Sequence, residues 1–263
     1  MAKRKQKKNV KMHIVILSII ILAMLLFLLY SIFPPQSHIQ NKQSNANNEG
    51  IGFTVKPPLF NSTQAIAYLP ALDDKGNGVL TLLVVEATPG SGRTLVDIDN
   101  LLFWGDTQHS IRIAKNVAQN ITHINLSNYD LVYNIYANAA VIGGESAGAA
   151  LTLATIAAIE NKTMNDKVII TGAINHDGTI GPVQGILAKA KAAKANGAAL
   201  FLVPQLQSTE ITYTTNKYCE KFGTGEYCTT EQVPKKINIA EEANITIKEV
   251  STISEAMQYF FKQ

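Results

Sequence analysis

The amino-acid sequence predicts a mixed α/β (α+β) domain preceded by one N-terminal transmembrane helix. Two observations lead to this prediction: strand-like apolar runs alternate with helical stripes from Val79 to Phe261, and an uncharged run covers Ile14–Phe33. The mixed order of strands and helices is typical of sheets packed against helices around one core. The hydrophobic fraction of 46% suits a folded protein and excludes wholesale disorder.

The first element is the apolar run, and we predict residues 13–33 as a transmembrane signal anchor. Its 20 uncharged residues would form a helix about 30 Å long, which matches the hydrocarbon core of a bilayer. A cleaved signal peptide is the alternative. Such peptides usually have an apolar region of about 7–15 residues that ends in a small-residue cleavage site, whereas this run is longer and ends in Tyr-Ser-Ile-Phe-Pro-Pro.

The charge distribution predicts the orientation of this anchor. The formal net charge is +3, and residues 1–12 hold six Lys and Arg and no acid, which leaves −3 for the remainder. A basic tail beside an apolar span stays in the cytoplasm, so the chain is expected to be single-pass with its folded part outside the cytoplasm. Nucleic-acid-binding domains normally carry a basic face, and we expect no nucleic acid as a partner.

Residues 34–53 are rich in Gln, Asn and Ser and predict a flexible linker. A folded domain is expected from residue 54 to residue 263. Its helices are predicted from apolar residues at helical spacing and its strands from short apolar runs beside turn residues. The predicted strands are Val79–Glu86, Leu131–Ala137, Val168–Ile174, Ala199–Val203 and Ile245–Val250, and the predicted helices are Thr107–Ile121, Ser146–Ile159, Gly185–Asn196 and Ser254–Phe261.

Cys219 and Cys228 are the only cysteines, and a short Gly-containing segment separates them. An even pair outside the cytoplasm predicts a disulfide that closes a hairpin, with two free thiols as the alternative. The five histidines lie far apart and have no metal-ligand spacing to the cysteines. We therefore predict no metal site and no cofactor.

The segment Gly143-Gly-Glu-Ser146-Ala-Gly148 is the first candidate for chemistry. Small residues around one hydroxyl at a helix entrance leave the serine accessible, and neighbouring backbone amides can point at a developing oxyanion. The alternative is an ordinary glycine turn capped by a serine.

A lysine-bearing helix is the second candidate. Lys189 lies among Ile186, Leu187, Ala188 and Ala190, and desolvation lowers the pKa of a lysine toward the range in which it serves as a general base. Lys191 and Lys194 share this helix, so composition leaves the choice among the three open.

Four segments in the same order resemble the proteolytic domain of Lon proteases. They are Ser146-Ala-Gly148, Thr171-Gly-Ala-Ile174, Gly178-Thr-Ile-Gly-Pro182 and Gly185-Ile-Leu-Ala-Lys189. The separation of 43 residues between Ser146 and Lys189 is similar to the family's spacing and favours Lys189 over the other two lysines. The resemblance implies a Lon-type fold with a mixed sheet and packed helices.

The resemblance also implies a serine endopeptidase with a Ser146–Lys189 dyad. Thr171 would orient the Lys189 ammonium, and Gly144 and Glu145 would shape the turn and its oxyanion-binding backbone. Peptides or unfolded segments would be substrates, and the family's rings imply a homo-oligomer. A histidine-based triad through His109 or His176 is the rival within enzymes. A non-catalytic binding or scaffold module at the membrane surface is the rival from another class.

Three departures from the family pattern shape these expectations. Gly143 occupies the position, three before the serine, where the family usually has an acid, while Glu145 lies beside Ser146. The segment from about residue 210 to residue 236 is predicted to be an insertion that carries the disulfide. No Gly-x4-Gly-Lys-Ser/Thr loop occurs in the sequence, so we expect peptide hydrolysis without ATP or with an unfoldase on another chain.

Overall fold

The computed structural model describes residue 55 and residues 62–97, 105–137, 141–142, 144–223 and 225–261. The predicted tail, anchor and linker (residues 1–53) lie outside the described residues, as does Gly143. Within the described part of the chain, no helix combines the length and apolar character needed to cross a membrane.

A five-stranded sheet forms one layer, in the order β3-β4-β2-β1-β5. The β1–β2, β2–β4 and β1–β5 pairs are antiparallel, whereas β3 runs parallel to β4. The mixture of parallel and antiparallel pairs confirms the predicted mixed sheet, and its combination with the helices described below confirms the predicted α/β class. The strands are β1 (Thr63–Asp73), β2 (Gly78–Pro89), β3 (Thr94–Val96), β4 (Tyr129–Tyr136) and β5 (Val141–Ile142).

The remaining strands form smaller sheets. Strands β6, β9 and β12 make a parallel sheet in the order β12-β9-β6, and β7 pairs with β8 across a tight turn. Strands β10 and β11 pair only with each other among the described residues. Their bounds are β6 (Val168–Ile170), β7 (Ala173–Ile174), β8 (Ile180–Gly181), β9 (Leu200–Pro204), β10 (Thr209–Phe222), β11 (Gly225–Asn238) and β12 (Thr246–Val250).

Five α-helices complete the described fold: α1 (Gly105–Thr122), α2 (Gly148–Glu160), α3 (Ile186–Ala195), α4 (Ile239–Ala243) and α5 (Ile253–Phe260). Helix α2 is the central one, because every residue from Gly148 to Ile159 is buried. It packs against α1 on one side and against β1 and β2 on the other. A helix that is apolar all round belongs inside a protein, so the residues at its N-terminus are fixed by the core.

The predicted insertion folds as the β10–β11 hairpin, whose strands extend to Thr209 and Asn238. Cys219 and Cys228 lie opposite each other in its register and form a disulfide. Most of the hairpin is exposed, including the aromatic side chains of Tyr218, Phe222 and Tyr227 near its tip. Two strands without a hydrophobic face to bury are marginal in water, and a cross-strand disulfide adds about 2.5–3 kcal/mol by restricting the unfolded loop.

The sequence did not predict β1, β3, β5 or α4, and the strand predicted at Val168–Ile174 is divided into β6 and β7. Strand β1 shows why such an element is missed. It alternates buried Ala65, Ala67 and Leu69 with more exposed neighbours, but small alanines and a proline at position 70 weaken that signal. Proline normally argues against a strand interior because it donates no ladder hydrogen bond. Pairing with the buried strand β2 along ten registered positions overrides this local preference.

Helix α3 lies unusually close to β2. A Cβ atom at Gly78 would lie 1.9 Å from the carbonyl oxygen of Ala188, which neither backbone can accommodate without moving. Gly78 therefore sets the distance between the main sheet and the helix that carries Lys189.

We expect Gly78→Ala to lower the free energy of unfolding by about 1–3 kcal/mol, because the added methyl group overpacks a backbone–backbone contact. Urea denaturation of the purified chain measures this change. Gly105→Ala is the matched control, since a Cβ at Gly105 would meet nothing within 4 Å. Equal stability of the two variants would contradict the close approach.

Candidate active site

Ser146 lies in a single 3-10 turn, Glu145–Ala147, directly before α2. The serine carbonyl accepts hydrogen bonds from the Gly172 amide at 3.0 Å and from the Thr171 hydroxyl at 3.3 Å. The Ala149 amide in turn donates to the Gly172 carbonyl at 3.0 Å. The segment after β6 is therefore hydrogen-bonded to the serine turn itself and to the first turn of α2.

The glycines of this turn are needed for close packing. A Cβ at Gly148 would lie 2.8 Å from the backbone nitrogen of Ile174, and a Cβ at Gly172 would lie 2.3 Å from a side-chain methyl carbon of Ile180. Gly148 thus lets the start of α2 approach the backbone of Ile174, and Gly172 leaves room for the side chain of Ile180. The close packing leaves Ser146 itself only partly buried.

Lys189 lies on the apolar face of α3. Ile186, Lys189, Ala190 and Ala193 are all buried at helical spacing, whereas Lys191 and Lys194 are exposed. Lys191 forms an ion pair with Glu242 at 3.1 Å. The burial pattern therefore separates the one lysine in the core from the two solvated ones, a choice that composition left open.

The side chains of Lys189 and Ser146 meet across 43 residues of sequence. Lys189 Nζ donates to Ser146 Oγ at 2.9 Å, although the two residues lie on different helical segments. Lys189 is only 3% exposed, and burial lowers its pKa to about 8. Desolvation disfavours the ammonium, so near neutral pH a useful fraction of this side chain is an amine that can accept a proton.

The other residues predicted for the site lie around this pair. Thr171 is fully buried, and its hydroxyl donates to the Ser146 carbonyl. Its role in orienting the Lys189 ammonium stays a prediction. Glu145 is exposed and Gly144 is partly buried. Gly144 has an extended backbone, with φ 176° and ψ 172°, which any residue can adopt.

Asp106 is an acidic residue near this turn that the sequence analysis did not select. It lies in the first turn of α1, and a Cβ placed at Gly144 would be 3.9 Å from its Oδ2 atom. The family pattern led us to look for an acid close in sequence to Ser146, whereas the fold brings Asp106 from 40 residues away. Only the packing of α1 beside the serine turn reveals it.

The two histidines of the rival triad pair with each other. The rings of His109 on α1 and His176 in the β7–β8 turn have centroids 6.3 Å apart in an edge-to-face arrangement. The hydrogen bond recorded at Ser146 Oγ comes from Lys189. The geometry therefore favours lysine over histidine as the partner of the serine hydroxyl.

One group of metal-ligand residue types occurs in the described part of the chain. It comprises Cys219, Glu226 and Cys228 at the hairpin tip. Both sulfur atoms belong to the disulfide, and a metal-binding cysteine must be a thiolate. This cluster is therefore not a metal centre while the disulfide is intact.

We expect Lys189→Met to raise the free energy of unfolding at pH 7 by about 1–3 kcal/mol. The reason is that methionine replaces a buried charged side chain by an uncharged one of similar shape. The folded state holds fewer protons than the unfolded state between pH 8 and the ordinary lysine pKa of 10.5. Wild-type stability therefore rises with pH across that window, and the advantage of the variant shrinks there.

Urea denaturation at pH 7 and pH 10 measures both effects. Lys194→Met is the control, because an exposed lysine on the same helix should change stability by no more than about 0.5 kcal/mol. A lower stability of Lys189→Met at pH 7 would show that the lysine charge is well solvated or paired.

Comparison with known proteins gives a consistent result. Residues 82–257 match the family model described as the Lon protease (S16) C-terminal proteolytic domain, which is about two thirds of the chain. The chain is 30% identical over 135 residues to the Archaeal Lon protease of Thermoplasma volcanium, covering 51% of this chain and 21% of that protein.

Bacterial relatives are similar to the same degree. Lon protease 2 of Bacillus subtilis is 31% identical over 134 residues, covering 51% of this chain and 23% of that protein. Lon protease of Fervidobacterium nodosum is 27% identical over 164 residues, covering 60% and 19%. The chain spans about a fifth of the length of these curated relatives.

The family match spans the serine turn, the Thr171–Ile174 segment and the lysine helix, which are the elements that the structure brings together. The chain belongs to the Lon protease (S16) C-terminal proteolytic domain family.

Proposed function

We propose that this chain is a serine endopeptidase that cleaves peptides or unfolded protein segments through a Ser146–Lys189 dyad. The observation that carries the proposal is the 2.9 Å contact between Lys189 Nζ and Ser146 Oγ. The burial of Lys189 lowers its pKa to about 8. Family membership supports the same activity, since the matched relatives are named Lon proteases.

The reaction follows from the two side chains. Neutral Lys189 accepts the proton of Ser146 Oγ, and Oγ attacks the carbonyl carbon of the scissile peptide bond. The Lys189 ammonium then protonates the leaving amine, and an acyl-enzyme remains on Ser146. Lys189, again neutral, removes a proton from water, which hydrolyses the ester and restores the serine.

The backbone of the serine turn supplies the oxyanion site in this proposal. The first amides of a helical turn have no acceptor within it, and those of Glu145 and Ser146 lie at the N-terminal end that leads into α2. The positive end of the helix dipole favours an anion at this position. Removing one oxyanion donor costs about 10²–10³ in rate in other enzymes.

The membrane anchor, the extracytoplasmic location and the independence from ATP are parts of the same proposal. They are supported by the uncharged run Ile14–Phe33, the basic residues before it and the lack of a P-loop motif in the sequence. Self-association is the corresponding expectation from the Lon resemblance, and sedimentation of the detergent-solubilised chain tests it.

We expect a serine-directed acylating probe to label Ser146 of the purified chain without ATP. The labelling rate should rise about tenfold per pH unit below pH 8 and level off above it, because only neutral Lys189 accepts the serine proton. Intact-protein and peptide mass spectrometry measures the rate and the labelled residue.

Ser146→Ala and Lys189→Met should both abolish labelling, whereas His176→Ala should retain it. Loss of labelling in His176→Ala but not in Lys189→Met would establish the histidine-based rival. A folded wild-type chain that is never labelled between pH 6 and pH 10 would favour the scaffold module instead.

A further inference from the structure

The N-terminus of α3 lacks a capping side chain of its own. Gly185 is the N-cap residue, with φ +66° and no side-chain hydrogen bond to the helix. A side chain is disfavoured at this position, because the φ is positive and a Cβ would lie 2.8 Å from Leu72 Cδ1. The first amides of α3 must therefore find acceptors elsewhere in the fold.

Glu210 supplies one of them from the start of β10. Its Oε2 atom accepts a hydrogen bond from the Leu187 amide at 2.9 Å. A carboxylate at this end of a helix satisfies an amide and interacts favourably with the helix dipole. Glu210 thus acts as the N-terminal cap of α3, although it lies 23 residues downstream of Leu187.

Gln207 holds the loop that leads into the same helix. Its Oε1 atom accepts from the Val183 amide at 2.9 Å, and its Nε2 atom donates to the Val183 carbonyl at 2.8 Å. Two bonds from one amide group fix the position and orientation of a backbone unit. Gln207 and Glu210 therefore hold the path of the chain from Val183 to Leu187.

The segment that carries these two side chains is itself held in place. The Ser208 amide donates to Glu249 Oε1 at 2.9 Å, and the Ser208 carbonyl accepts from the Ile239 amide at 3.1 Å. These bonds attach residues 207–210, the root of the hairpin, to β12 and to the start of α4. The cap on α3 is therefore presented by a fixed segment, while the rest of the hairpin projects outward.

Lys189 follows Leu187 by two residues, and its amide makes an early hydrogen bond of α3, to the Gly185 carbonyl at 3.1 Å. Any shift of the first turn therefore moves the Lys189 side chain relative to Ser146. Misplacement of a catalytic group by about 1 Å can cost about 10²-fold in rate.

We propose that Glu210 is a positioning residue for peptide hydrolysis, which caps α3 from the root of the β10–β11 hairpin and so holds Lys189 against Ser146. This inference rests on the proposed Ser–Lys mechanism. It makes the hairpin root part of the support of the active site.

The test compares Glu210→Ala and Glu210→Gln in the purified full-length chain. We expect Glu210→Ala to slow acylation of Ser146 by about 10- to 100-fold. Glu210→Gln keeps an acceptor oxygen at the same reach and should lose only about threefold, since charge-assisted bonds are roughly twice as strong as neutral ones. Glu220→Gln is the matched control, because Glu220 lies exposed on the same strand and face as Glu210.

A second readout is the pKa of Lys189, followed by NMR of the chain with ¹³C-labelled lysine. A loosened helix start admits water to the amine, so Glu210→Ala should raise this pKa from about 8 toward its ordinary value of 10.5. The loss of a carboxylate that acted only through its charge would lower the pKa instead. The sign of the shift therefore separates positioning from a direct charge effect.

Several results would overturn the proposal. In one of them, the Leu187 amide of Glu210→Ala exchanges its hydrogen faster, while the labelling rate and the Lys189 pKa stay unchanged. Glu210 would then cap the helix without positioning Lys189. If Glu210→Ala does not fold, the test rests on Glu210→Gln. The proposal is then overturned if this variant has the wild-type labelling rate and the wild-type Lys189 pKa. If wild type is never labelled, the Ser–Lys mechanism fails, and the Lys189 pKa in the same variants still decides whether Glu210 positions the lysine.

Discussion

The burial of the Lys189 amine beside the Ser146 hydroxyl is the constraint on which the rest of the site depends. A charged lysine in an apolar environment costs free energy, and the protein lowers that cost by lowering the pKa to about 8. Lys189 lies on the same buried face of α3 as Ile186, Ala190 and Ala193, and its side chain is almost entirely removed from water. The same packing that destabilises the ammonium thus creates a base that works near neutral pH.

Two close backbone contacts hold this arrangement in place. Beneath the serine, Gly148 allows α2 to meet the segment after β6, and the Thr171 hydroxyl donates to the serine carbonyl. Beneath the lysine, Gly78 allows β2 to approach the carbonyl of Ala188. A methyl group at Gly148 or Gly78 would push a supporting backbone segment away from the turn that carries Ser146 or the helix that carries Lys189.

The β10–β11 hairpin is joined to the site although most of its length is solvent-exposed. Its disulfide lies toward the tip, where few other contacts stabilise the strands. Its root supplies Gln207 and Glu210 to the loop and helix that precede Lys189. An element that the sequence presents as an insertion is therefore connected, through three hydrogen bonds, to the segment that positions the candidate base.

The sequence by itself determined the mixed α/β class, the strands β2, β4, β6, β9 and β12 and four of the five described helices, because apolar periodicity is a local signal. The pairing of Ser146 with Lys189 was predicted from the resemblance to the ordered Lon protease motifs, since local character alone did not distinguish Lys189 from its neighbours. It missed β1, whose alanines and Pro70 give a weak local pattern, and the short elements β3, β5 and α4. It did not select Asp106, Gln207 or Glu210. Only the tertiary structure brought these residues to the site, because a cap or contact formed across 23 or 40 residues depends on how elements pack and leaves no periodic mark in the chain. For the same reason the burial that lowers the pKa of Lys189 was decided by packing, while the sequence offered three lysines of similar local character.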